Sequence, residues 1–152
     1  MTVAFIHNNA TLICAPPEAV YDYVCDPNSW PEWLPASHAI DSPKRALIKG
    51  ERFAEKWHIR RGEITMSWLV TESDRPNAWT VEAETTFIGL IVIRYTFEAS
   101  AGGTTYTRSL SNPARPAPPS AQQVAQIDED ARIGLANIKR IVEQRWGNQA
   151  AA

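Results

Sequence analysis

The sequence predicts an α+β fold in which a curved antiparallel sheet wraps around one long C-terminal helix. Three features predict it. Apolar and polar residues alternate with period two through the middle of the chain, as on a sheet with one buried face. Turn-forming residues punctuate that region at Arg61-Gly62, Asp74-Arg75-Pro76-Asn77, Gly89 and Gly102-Gly103, so the strands follow one another in series. From Val124 the apolar positions Ile127, Ala131, Leu135, Ile138, Val142 and Trp146 step by three and four, which makes one helical stripe.

The elements follow in order. Val3 to Ile13 is rich in β-branched and apolar residues and reads as a strand. Pro16-Pro17-Glu18 opens a helix, because proline supplies the helical φ and Glu18 suits the positive end of the dipole. Asp26-Pro27-Asn28 stops it. Ser29-Trp30-Pro31-Glu32 has capping-box spacing and starts a second, short helix that Pro35 ends. Five or six strands come next. Their inward sets are Phe53, Glu55, Trp57 and Ile59; Ile64, Met66, Trp68 and Val70; Trp79, Val81, Ala83 and Thr85; Ile91, Ile93, Tyr95 and Phe97; Thr104, Tyr106, Arg108 and Leu110. The proline-rich stretch 112–120 reads as a stiff connection, since proline sustains neither a helix nor a central strand. Ser120 and Gln123 then cap a helix over about 121–146, with Gly147 as its stop and residues 147–152 as a disordered tail.

At 152 residues and 16.9 kDa the chain reads as one domain, 1–152, with a sizeable core. A formal net charge of −2 offers no basic surplus for binding nucleic acid. The longest apolar stretch, Phe87 to Ile93, is too short to span a bilayer. The N-terminus shows no signal peptide, so a cytoplasmic location is expected. Cys14 and Cys25 read as reduced core thiols. No cluster of convergent ligands suggests a metal, and no nucleotide or cofactor motif occurs, so no cofactor is expected. Six Trp in a chain of mean hydropathy −0.30 must be concentrated in places.

The segments APPEAVYDYVCDPNSWPEWLP (15–35), KGERF (49–53), VTESDRPNAWTVEAE (70–84) and YTFEASAGGTTYTRS (95–109), followed by the long terminal helix, carry a resemblance. In their order and spacing the chain resembles the helix-grip fold of the START superfamily, also called SRPBCC, and most closely its polyketide cyclase/dehydrase-like branch. The resemblance covers nearly the whole chain. It implies an apolar cavity between sheet and terminal helix that takes a small hydrophobic molecule, lipid-, polyketide- or aromatic-like. The alternative it implies is a polyketide aromatase/cyclase or dehydratase using acid and base groups in the same cavity. It also implies that the short helix bearing Trp30 and Trp33 borders the cavity entrance. Either a monomer or a homodimer is compatible with it.

Within that frame Glu55 and Arg108 are the most informative residues, because each occupies the inward phase of an apolar strand. A buried charge must be paired, solvated or shifted in pKa. They serve either as polar anchors for a ligand or as members of an internal salt bridge. Tyr95 and Tyr106 share the inward phase and offer phenol groups. Phe53, Trp57, Met66 and Trp68 line the interior as core or as cavity wall, with Ile138 facing them from the helix. Trp33 is either an entrance residue or a plug. Gly134 either opens space or lets the helix approach closely. Among the histidines, His38 alternates with Ile40 and would point inward as the one candidate acid or base, His58 lies in an outward phase, and His7 has no evident partner.

Overall fold

A computed structural model describes residues 2–59 and 62–151. The elements are β1 (Val3–Ile13), α1 (Pro17–Val24), a 3-10 turn (Pro27–Ser29), α2 (Trp30–Trp33), β2 (Ser37–Asp41), β3 (Arg52–Ile59), β4 (Gly62–Asp74), β5 (Ala78–Thr85), β6 (Gly89–Ser100), β7 (Gly103–Arg115) and α3 (Ala121–Ala151). The strands form one seven-stranded antiparallel sheet in the order β1-β7-β6-β5-β4-β3-β2. From β2 to β7 the chain meanders, and β1 joins the far edge beside β7. The predicted inward phases of β4 to β7 are the buried ones, with Met66, Trp68, Val70, Trp79, Val81, Ala83, Ile91, Ile93, Tyr95, Phe97, Tyr106 and Arg108 all buried. At the β6–β7 turn Gly103 has φ +151, and a Cβ there would lie 2.1 Å from the Ile13 carbonyl oxygen. That close approach seats the end of β1 against the turn.

The core is an aromatic layer. Ring stacking runs across neighbouring strands from Trp68 to Phe53, Trp79, Tyr95, Tyr106 and Phe97, with centroids 5.5 to 6.5 Å apart. Trp30 stands edge-on to Phe53, Trp68 and Trp79 at 5.2, 5.8 and 6.4 Å. Such pairs add ~0.5–1.5 kcal/mol each beyond their buried area. The indole N–H groups are committed as well: Trp30 donates to the Val24 carbonyl at 3.0 Å, Trp79 to that of Leu47 at 2.9 Å, and Trp33 to Ser29 Oγ at 3.2 Å. Trp30 therefore plugs the space over Phe53, Trp68 and Trp79.

Several local expectations change. Ser29 makes no capping box; its hydroxyl serves Trp33, and the Asp26 side chain accepts from the Asn28 N–H to start the turn instead. β7 continues through Pro113 to Arg115, because a register shift opposite Val3 to Phe5 places the proline at an irregular point of the ladder. α3 runs through Gly147 to Ala151 rather than stopping, while its start is the expected reciprocal box: Gln123 N–H donates to Ser120 Oγ at 3.1 Å and Ser120 N–H to Gln123 Oε1 at 2.8 Å. Only the middle of α3, from Ala131 to Val142, contributes buried residues. A helix of about 46 Å overhangs its support at both ends. Trp146 is accordingly 36% exposed and lines an outer groove of 440 Å³ with Pro16, Ala19 and Tyr23, not the core. Cys25 is buried but Cys14 is exposed, and both thiols are free. The expectations for the His58 side chain, for Arg61 in its turn and for Ala152 lie outside the described residues.

Candidate functional site

The inner face of the sheet is apolar except for a belt of polar side chains. On β1 the half-buried positions alternate as Phe5, His7, Asn9 and Thr11, which points His7 and Asn9 inward. Register then aligns a polar row: Asn9 lies opposite Arg108, Arg108 opposite Tyr95, and Tyr95 opposite Trp79. Tyr106 lies between Thr11 and Phe97 in the adjacent row. At the other end of the sheet Glu55 pairs with Ile40 and Met66, and Ser37 with Trp57.

These groups are buried and incompletely satisfied. Eight side-chain atoms have no hydrogen-bond partner among the described residues: His7 Nδ1, Asn9 Oδ1, Ser37 Oγ, Glu55 Oε2, Trp57 Nε1, Tyr95 Oη, Tyr106 Oη and Arg108 Nε. All eight belong to inward positions of β1, β2, β3, β6 and β7. An unsatisfied buried polar group costs ~1–3 kcal/mol, and more when charged. Glu55 is fully buried; the Trp68 Nε1–H donates to its Oε1 at 2.9 Å. Burial pushes its carboxyl above the usual range, opposed by nearby Ser37, Trp68 and Trp57 and by the Arg108 charge. Ser37 and Trp57 thus lie near Glu55 without forming well-shaped hydrogen bonds to it. Burial also pushes the Tyr95 phenol up to about 12, with Arg108 pulling against it, and drives the Tyr106 phenol well above its usual value. Arg108 is 7% exposed and forms no ion pair with Glu55 among the described residues. The guanidinium acts on Glu55 and Tyr106 through space, and on Tyr95 both through space and as a nearby donor whose geometry falls short of a well-shaped hydrogen bond.

The structure brings the predicted Glu55, Tyr95, Tyr106 and Arg108 to one interior surface, with Phe53, Met66 and Trp68 buried around them and Trp57 half-buried. Ile138 faces this core from α3 and is fully buried. Trp33 and Gly134 meet each other: a Cβ at Gly134 would sit 3.4 Å from Trp33 Cε3 and from its carbonyl oxygen. The glycine thus seats α3 on α2. His38 does not point inward. A bulge between Ser37 and Ala39 shifts the phase, so Ser37 and Ile40 face the interior while the His38 side chain is 51% exposed, 3.8 Å from Glu63. The polar residues that sequence reasoning missed are His7, Asn9 and Ser37. The first two were obscured because β1 carries apolar residues on its outer face too: Ile6 is 66% and Leu12 42% exposed.

Among the described residues no group of three or more His, Cys, Asp or Glu is placed to hold a metal, and no helix is long and apolar enough to cross a membrane. A long helix gripped by a curved antiparallel sheet, with polar groups set into an aromatic interior, defines the helix-grip class. Within it, the chain belongs to the family described as polyketide cyclase/dehydrase and lipid transport, whose model matches residues 8–143. The fold is similar to the crystal structure of Ara h 8.0201, at a TM-score of 0.71 and 12% identity over 92% of this chain and 98% of that one. It is similar to the di-domain ARO/CYC StfQ from the steffimycin biosynthetic pathway, at 0.75 and 11% over 95% of this chain and 52% of that one. It is also similar to the di-domain ARO/CYC BexL from the BE-7585A biosynthetic pathway, at 0.69 and 19% over 92% of this chain and 50% of that one. These likenesses show the fold. No curated protein matches the chain.

Proposed function

We propose that the protein binds a small, flat hydrophobic molecule bearing an electronegative oxygen in the interior between the sheet and α3. The observation that carries this reading is the belt of eight buried polar atoms on one face of the sheet that lack a well-shaped hydrogen bond among the described residues. A core built only for stability would fill those positions with apolar side chains. The aromatic rings supply a wall suited to planar ligands, and burial of ligand surface supplies the driving force at about 25 cal/mol per Å². Arg108, with Tyr95 and Tyr106, holds the ligand's carboxylate, carbonyl or enolate oxygen. Glu55, with Ser37 and Trp57, faces its other end. Phe53, Met66, Trp68 and Ile138 form the apolar wall, and the Trp33–Gly134 contact fixes α3 over it.

The test compares two probes of one scaffold. 1-Anilinonaphthalene-8-sulfonate carries an anion, whereas N-phenyl-1-naphthylamine does not. Fluorescence titration should give Arg108→Leu about 10- to 100-fold weaker binding of the sulfonate, the range expected for losing a charge-assisted hydrogen bond, with much less change for the neutral amine. Equal loss for both probes, or none for either, contradicts the assignment.

A second reading, a cyclase or dehydratase, is favoured by Glu55 specifically. Trp68 anchors one oxygen while the other has no well-shaped hydrogen bond among the described residues, and burial favours the protonated carboxyl more than for an ordinary glutamate. In that reading Glu55 moves a proton next to a carbonyl whose oxygen faces Arg108. Turnover of a β-hydroxyketone by the native protein, abolished in Glu55→Gln, would support it. The absence of turnover would leave the protein a binder.

A further inference from the structure

We infer that His7 and Asp128 form a proton-accepting dyad that makes the interior selective for ligands with an ionisable phenol or enol hydroxyl. The inference rests on the binding reading above and specifies its ligand. The inward phase of β1 brings the His7 ring inside, leaving its side chain 11% exposed. From α3, Asp128 meets it: His7 Nε2–H donates to Asp128 Oδ1. A carboxylate only accepts, so the proton of the neutral ring sits on Nε2 and Nδ1 keeps its lone pair. That Nδ1 is buried and has no partner among the described residues. Phe5 stacks against the ring at 6.5 Å and holds its orientation.

The surroundings of Nδ1 match a proton acceptor next to an anion site. Asn9 lies two residues along the same face, about 6.6 Å away by strand rise. Directly across from Asn9 is Arg108. His7 and Arg108 are thus diagonal neighbours on one face, with Cβ atoms roughly 7–8 Å apart. A hydroxyl lodged between them donates to Nδ1. On transfer the O–H bond breaks, its electron pair stays on the ligand oxygen, and the proton passes to Nδ1. The resulting phenolate or enolate pairs with the Arg108 guanidinium, and the imidazolium pairs with the Asp128 carboxylate, so net charge is unchanged. Asp128 meets this ring from α3, while on β7 Arg108 lies diagonally across the register from it and Arg115 lies over Phe5, the ring stacked on His7. Asp128 is a positioning residue: its side chain is 62% exposed, on a part of α3 that contributes nothing to the core.

The test uses 1-naphthol at about pH 8, where the free dye is protonated and an ordinary imidazole is neutral, with absorption reporting its ionisation, and its methyl ether, which has no proton to give. At a pH where the free dye is mostly protonated, the native protein should shift the bound naphthol to its naphtholate band. It should also bind the naphthol about tenfold more tightly than the ether. His7→Gln should lose both effects, with near-ultraviolet circular dichroism as the check on its fold. Asp128→Asn, at an exposed position, should lose part of the naphtholate signal, and Asp128→Glu should restore it. Binding of the anilinonaphthalene probe without naphtholate formation, or a naphtholate signal untouched in both His7→Gln and Asp128→Asn, overturns this inference alone. Failure of the native protein to bind either dye overturns the binding reading and the inference together.

Discussion

Two parts of the same sheet face are finished differently. Around β4 and β5, the rings of Trp30, Trp68, Trp79 and Phe53 interlock, and every one of those indole N–H groups has a partner. Around β1, β7 and β6, Tyr95, Tyr106 and Arg108 are buried and His7 and Asn9 half-buried, yet each has a buried atom with no partner among the described residues. The cover differs as well. α2 presses into the first region, whereas the first turns of α3, Ala121 to Asp130, add no buried residue to the second. One region is a core that stabilises the fold. The other holds polar groups at a cost in stability, which the ligand proposed above would offset by completing their hydrogen bonds.

The comparison breaks most visibly in stability. Trp30→Ala should cost ~3–5 kcal/mol, because it removes the plug and leaves a cavity among three aromatic rings. Denaturant unfolding checks it, and a cost below ~1 kcal/mol would deny the first region its structural role. Arg108→Leu should act in the opposite direction. Replacing a buried guanidinium that forms no ion pair among the described residues by an apolar side chain should stabilise the protein by ~1–3 kcal/mol while weakening anionic probes. Destabilisation of that size would mean that Arg108 is structural after all.

Glu55 gives a pH test. Its folded-state pKa is raised, so the folded state holds the proton more tightly than the unfolded chain. Stability should therefore fall as pH rises from the unfolded carboxylate value of about 4.3 through the higher folded value, and stay at the lower level above it. Glu55→Gln should remove that fall, which shows as a pH-dependent difference in unfolding midpoint between the two proteins. A constant difference from pH 4 to 8 would contradict the raised pKa. The smallest effect concerns the cover of the polar region. Ser120→Ala removes one half of the capping box, costs about 1 kcal/mol, and should speed amide exchange over Ala121 to Asp130 but not over Ala131 to Val142.

Much of this contrast was legible in the sequence. Alternation on β3 to β7 gave the correct face for Glu55, Tyr95, Tyr106 and Arg108, because their strands pair an apolar inner set with a polar outer one. The same reasoning missed His7 and Asn9, since Ile6 and Leu12 make the outer face of β1 equally apolar and hide its phase. It misdirected His38, because a single bulged residue reverses which side chain faces in, and spacing does not reveal a bulge. Gly134 shows a third kind of difficulty. A glycine on an apolar stripe is consistent with open space or with close contact, and only the position of Trp33 decides for contact. The partner of His7 lay 121 residues away on α3, a separation that no local pattern encodes.

The proposed role of the polar belt around Arg108 is to bind an oxygen-bearing ligand. Native mass spectrometry of the protein with 1-anilinonaphthalene-8-sulfonate tests it most directly, with Arg108→Leu measured under the same conditions. A single bound probe is expected on the native chain, and a greatly reduced adduct on a variant that is folded and more stable. An adduct of equal intensity on both proteins would contradict it.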